Sequence, residues 1–133
     1  FDFPWPWDNS SIDAVAMHRF LEHFDDLYAT IDEVHRVLRP SGLFWVIMPH
    51  YLSPYAPGVQ HRQHFSYERF EGDVAKRPDY SGEQIQLFRT ESLRLSFPWP
   101  TVRWLEPFAN LCPRIWEWLH LPTIQIEWRG TRL

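Results

Sequence analysis

Four histidines lie close enough along the chain to act together, namely His23, His50, His61 and His64. Imidazole titrates near neutral pH, so any of them could take or give a proton; His23 and His64 are the candidates for a general base. Imidazole is also a metal ligand. His61 and His64 stand at His-x-x-His spacing, which zinc accepts, and His50 could join them. No cysteine set or paired carboxylate completes four tetrahedral ligands, so no metal is assigned. A third role is structural, with the rings bonding backbone groups to fix the long segment 49–66. Glu22 and His23 could equally cap and orient a following helix.

Composition narrows the field. The chain has 133 residues, 44% of them hydrophobic, which is enough for one packed unit and argues against disorder. The formal charge is -4 and no stretch is a basic run, so phosphate neutralisation on nucleic acid is not expected. One cysteine, Cys112, excludes an internal disulfide and points to a reducing compartment, the cytoplasm. No apolar run approaches the ~18 residues of a membrane span. Eight tryptophans fit a packed core or an aromatic-lined cleft. The chain opens on Phe1 rather than Met, so residues upstream are expected.

The elements that must position these side chains follow from periodicity. Residues 1–10 are extended, since Pro4 and Pro6 lack the N–H that a helix or central strand uses. Residues 11–17 are a short apolar run, predicted as a buried strand that ends in a polar-aromatic cluster from Met17 to Phe24. Asp25 or Asp26 can cap a helix from about residue 26 to 38, with Leu27, Ile31, Val34 and Leu38 on one face. Pro40 and Gly42 stop it. Residues 43–48 are almost wholly apolar, as in a parallel strand covered on both faces. Strand, helix, strand makes a right-handed βαβ unit. A short helix is predicted over 67–76, then a loop. Leu93, Leu95 and Phe97 alternate as in a half-buried strand ended by Pro98 and Pro100. Phe108, Leu111, Cys112, Ile115 and Leu119 form a helical stripe interrupted by Pro113. This stripe, with Trp99, Trp104, Trp116 and Trp118 around it, is either packed on the sheet or an aromatic surface for a lid or partner. Ile124 and Ile126 open a last strand.

Several dispersed motifs carry a resemblance. Residues 3–24 read FPWPWDNSSIDAVAMHRFLEHF, residues 31–42 IDEVHRVLRPSG, and residues 43–49 LFWVIMP. In this order they resemble the middle of the class I S-adenosylmethionine-dependent methyltransferases, particularly the type 11 branch. The resemblance implies an α/β fold: a partial Rossmann-like methyltransferase sheet of strands four to seven, with antiparallel C-terminal strands at residues 87–97 and 123–132. The implied sheet order is four-five-seven-six. Ligands in such sheets bind beyond the carboxyl ends of the strands. The resemblance therefore places Phe3, Trp5, Met17, His18 and His23 beside S-adenosyl-L-methionine. His61 to Ser66 resembles a segment that covers the acceptor side, which implies substrate contacts by His50, Tyr51, His61 and His64.

The departures set limits. The family's G-x-G-x-G loop has no counterpart, because the five glycines (Gly42, Gly58, Gly72, Gly82 and Gly130) are far apart. The acidic residue that holds the ribose is also missing, and Ser41 replaces a turn glycine. Residues 1–133 are thus expected to be the C-terminal part of a methyltransferase domain, without its first three strands. The chain by itself should bind cofactor weakly or not at all and be inactive. A small molecule or glycan is a suitable acceptor. The alternative is a non-catalytic remnant or interaction module. The strand at 11–17 loses one partner, which creates an edge for self-association.

Overall fold

A computed structural model describes residues 3–78, 81, 83–97, 99–121 and 123–133. Strand β1 (Ile12–His18) is followed by helix α1 (Leu27–Val37) and strand β2 (Leu38–Pro49). Asp26 is the cap: its carboxylate accepts the Ala29 N–H at 2.9 Å, and Glu22 and His23 take no part. Leu27, Ile31 and Val34 turn one helix face inward. β1 and β2 pair in parallel, as the βαβ reading requires.

The expected turn at Pro40–Gly42 takes another form. Ile12 pairs with Leu38, but Ala14 already pairs with Leu43, so residues 39–42 loop out of the ladder. Ser41 sits there at φ 63°, the left-handed region where a glycine costs nothing. Gly42 permits a close backbone approach, since a Cβ would stand 2.8 Å from the Arg39 carbonyl.

Helix α2 (Tyr67–Asp73) is capped by the Ser66 hydroxyl, which accepts the Arg69 N–H at 3.0 Å. It ends earlier than predicted because strand β3 (Lys76–Pro78) pairs antiparallel with strand β4 (Gln84–Gln86), in a segment expected to be loop. Strand β5 (Phe88–Ser96), helices α3 (Glu106–Leu111) and α4 (Pro113–Trp118), and strand β6 (Gln125–Arg132) complete the chain. Pro98, expected to end the strand before α3, lies outside the described residues. The main sheet runs β1-β2-β6-β5, with β6 antiparallel to both neighbours. That is the expected four-five-seven-six order and a mixed, partial Rossmann-like sheet.

One sheet face carries the core. Phe44, Val46 and Met48 of β2, Ile126 and Trp128 of β6, and Phe88 and Leu95 of β5 are fully or almost fully buried. Trp128 is central, with ring centroids 5.5 Å from Phe44, 5.7 Å from Phe70 and 5.9 Å from Phe88. The opposite face is half-open. There Ala16 pairs with Trp45 and Trp45 with Arg129. Arg129 lies over the Trp45 ring, and Glu127 receives Arg94, Arg129 and the Trp45 indole N–H.

The stripe in the last helical region faces outward, against one of the two expectations for it. Phe108, Leu111, Ile115 and Leu119 are exposed, and so are Trp104 and Trp118. The chain breaks at Cys112 (φ -145°, ψ 75°), where Pro113 opens α4, so the two halves share no continuous face. Docking rests on the buried Ala109 and on Leu105 and Trp116, which pack against the core, together with polar contacts. The Asn110 side chain accepts the Leu95 N–H and donates to the Leu95 carbonyl, and Glu106 accepts the Phe97 N–H. Glu117 accepts from His50 Nε2 and from the Tyr67 N–H, tying α4 to the end of β2 and the start of α2.

Three groups give stability a definite dependence on acid. Burial holds the His35 imidazole below its ordinary value, with Arg132 nearby adding to the effect. Hydrogen bonds from Arg36 hold the Glu33 carboxyl low against the opposing pull of burial. Burial alone would raise Glu127, and Arg94 and Arg129 more than reverse it. In each case the unfolded state binds protons more readily, so stability rises with pH through the window. Denaturant midpoints should be level above about pH 7 and fall first below ~6.5 with His35, then again below ~4.5 with the two glutamates. A midpoint that stays level from pH 8 to pH 4 would contradict this assignment.

Candidate functional site

The site is built where β1 ends. Arg19, at φ 51°, turns the chain sharply, and its N–H bonds the Ile47 carbonyl at 2.7 Å. A left-handed non-glycine residue costs ~1–2 kcal/mol. The turn throws Phe20 to His23 across the strand end as a short 3-10 turn, Leu21–His23. Residues 3–9 cross α1 and return beside it. Trp5 N–H donates to Glu33, and Arg36 reaches the Trp5 carbonyl and Asn9.

These pieces enclose an apolar groove of about 520 Å³ along the free side of β1, walled by Trp5, Trp7, Val15, Met17, Phe20 and Phe24. Of the sequence-predicted cofactor residues, Trp5 and Met17 line it. Phe3 stacks on Phe24 (6.4 Å) and tilts against Trp5 (5.9 Å) behind the wall. His18 faces a separate recess with Trp45 and Ile47. Trp7, Phe20 and Phe24 were not singled out by sequence. Their signal was the polar-aromatic cluster after β1, whose members could not be ranked without the Arg19 turn.

Residues 50–66 return over the same end. Arg62 and Gln63 N–H groups both donate to the Glu22 carbonyl, at 2.7 and 3.1 Å. This brings His61 to His23, with ring centroids 4.9 Å apart. His64 is exposed and apart from them. His50 is fully buried: its Nδ1 accepts the Leu52 N–H and its Nε2 donates to Glu117 at 2.5 Å. Its imidazole therefore faces Glu117 and not the groove, while Tyr51 packs on it and is 39% exposed. A second groove, of about 630 Å³, lies between the turn and this loop and is lined by Phe20, His23, Asp25 and Arg62 among others.

Residues 3–46, the stretch that forms the groove, α1 and much of β2, match a family described as methyltransferase domain. No curated protein matches the chain in sequence. Among solved structures, the complex of the Haloferax volcanii Trm112 methyltransferase activator with a methyltransferase aligns at TM-score 0.60 and 15% identity. The alignment covers 97% of this chain and 57% of that one. A Listeria monocytogenes structure described as an S-adenosylmethionine-dependent methyltransferase aligns at TM-score 0.52 and 14% identity, over 95% and 64%. The [4+2]-cyclase SpnF aligns at 0.57 and 12%, over 97% and 52%. The chain thus spans between about half and two thirds of these relatives, and at such identities the likeness shows the fold alone. Sequence over residues 3–46 and fold over nearly the whole chain agree: the protein resembles the class I, type 11-like S-adenosylmethionine-dependent methyltransferases.

Proposed function

We propose that residues 1–133 are the C-terminal part of a methyltransferase domain whose cofactor is S-adenosyl-L-methionine, and that the domain moves a methyl group to a small-molecule or glycan acceptor. One observation supports this best. The aromatic groove beside β1 is lined by residues between Trp5 and Phe24, all within the stretch 3–46 that matches the family. Its shape and apolar walls suit an adenine face, held by Trp5 and Met17 with Phe3 behind. Bound there, the cofactor supplies an already activated methyl group. The protein's part is to align the acceptor and exclude water. Tyr51 and the His61–His64 segment stand on the acceptor side in this reading, and His64 is exposed for proton transfer where the acceptor is a hydroxyl. The transcript upstream of the Phe1 codon should encode, in frame, a strand followed by G-x-G-x-G. A start codon immediately before Phe1 would favour the non-catalytic remnant instead.

The same reading has a consequence for the chain by itself. Among the described residues β1 pairs only with β2, and its outer edge borders the open groove. An unpaired, apolar strand edge recruits a like strand, because ladder hydrogen bonds are unmade there. A second copy joined β1 to β1 is the expected occupant. Sedimentation should show a dilution-sensitive dimer, and Ala14→Lys, which puts a charge on β1, should shift it to monomer. A monomer at all concentrations would mean that residues 3–10 already shield the edge.

A further inference from the structure

We infer that Glu22, His23 and His61 form a site for one divalent cation, with zinc the best match to the donor set. One ligand atom from each of the three lies within 4.8 Å of the other two. The second observation is independent of that clustering. Glu22 is 2% exposed, yet neither of its carboxylate oxygens has a hydrogen-bond partner. A buried carboxylate without a partner is costly, and a cation is the partner that offsets most of that cost.

The histidines are prepared in the manner of metal ligands. His23 Nδ1 faces the Gln60 carbonyl at 3.1 Å, and His61 Nδ1 faces the Ala56 carbonyl at 2.9 Å. A carbonyl only accepts, so each Nδ1 carries the proton and each Nε2 keeps its lone pair. Such a backbone bond on the second nitrogen fixes tautomer and ring orientation for coordination. Gly58 packs closely against the His61 ring, where a Cβ would stand 2.7 Å from Nε2 and 2.9 Å from Cε1, so glycine at that position lets the imidazole hold this orientation. The His61 loop is fastened to the site by the Glu22 backbone itself, through the Arg62 and Gln63 N–H bonds.

Two imidazoles and one carboxylate, without thiolate, suit zinc or a neighbouring borderline ion rather than calcium or magnesium. Three protein ligands leave a coordination position for water or another oxygen ligand, and His23 also lines the 630 Å³ groove. The sequence alone set His50, His61 and His64 against zinc and lacked a carboxylate. The fold supplies Glu22, substitutes His23, and leaves His50 with Glu117. The site does not depend on the methyltransferase reading and is tested without any transfer assay.

The test uses the chain freed of metal and titrated with zinc against a chromophoric chelator. One ion per chain should be taken up, and in 15N-edited spectra the ring signals of His23 and His61 should move while those of His50 and His120 stay. His61→Gln and Glu22→Gln should each weaken uptake by more than the ~10–100-fold typical of losing an outer-shell partner. His120→Asn should leave it unchanged. Absence of stoichiometric uptake would overturn the site, as would uptake that moves His50 or His64 instead. The wild-type spectra decide the matter even where a variant fails to fold.

Discussion

Titrated with S-adenosylmethionine, the 133-residue chain is expected to bind about a thousandfold more weakly than a complete methyltransferase domain. The groove provides Trp5 and Met17 for an adenine face, but the cofactor's ribose and methionine ends need directed polar contacts. In this fold class those come from a glycine-rich turn, where the absent side chain lets backbone N–H groups approach, and from an acidic residue on the ribose hydroxyls. The glycines here cannot form such a turn: Gly42 is committed to the β2 excursion and Gly130 to the core, and none of the five lies near another. Each lost hydrogen bond to a polar ligand costs ~1 kcal/mol or more, and three or four together give the stated factor. Calorimetry on the purified chain is the measurement. Micromolar affinity would mean that the apolar groove suffices without a glycine-rich turn or a ribose-binding acidic residue, and this expectation would be wrong.

Gly130→Ala should destabilise the chain by about 3 kcal/mol, the upper range for forcing extra volume into a packed core. The sign is the informative part. Glycine within a strand ordinarily costs ~0.5–1 kcal/mol relative to alanine, so without a packing constraint the substitution would stabilise. Here a Cβ on Gly130 would stand 2.4 Å from two ring carbons of Trp128 and 3.0 Å from the Arg89 carbonyl. The indole cannot retreat, because Phe44, Phe70 and Phe88 surround it and its N–H is bonded to Thr90 Oγ1 at 3.1 Å. Urea unfolding followed by far-UV circular dichroism gives the value. A change within ~0.5 kcal/mol of the parent would show that Trp128 has room to repack.

What could be read from sequence was what local rules decide. Apolar runs at 11–17 and 43–48, a capped amphipathic stretch between them, and Pro40 with Gly42 after it allow little but a βαβ unit. The family motifs added the strand order. The outward turn of Phe108, Leu111 and Ile115 was not legible, because Asn110 and Glu106 dock through β5 backbone groups that no periodicity reveals. The β3–β4 pair is three residues per strand and too short for a pattern. Glu22 read as a helix cap because Asp26 and Glu22 are equally plausible in one dimension. The meeting of Glu22 with His61 depends on a loop returning over 39 positions. For the same reason His50 and His61, which lie in one sequence segment, ended in different surroundings.

The outward stripe has a practical side for spectroscopy. Trp104, Phe108, Leu111, Ile115 and Trp118 leave large apolar side chains exposed on the native chain. Dyes of the anilinonaphthalene sulfonate type brighten on such surfaces, and their emission is commonly taken as a sign of loosened packing. For this protein bright dye emission is expected already of the fully native state. Near-ultraviolet circular dichroism, which senses the fixed asymmetric surroundings of rings such as the wholly buried Trp128, is the signal that distinguishes a packed interior from a molten one.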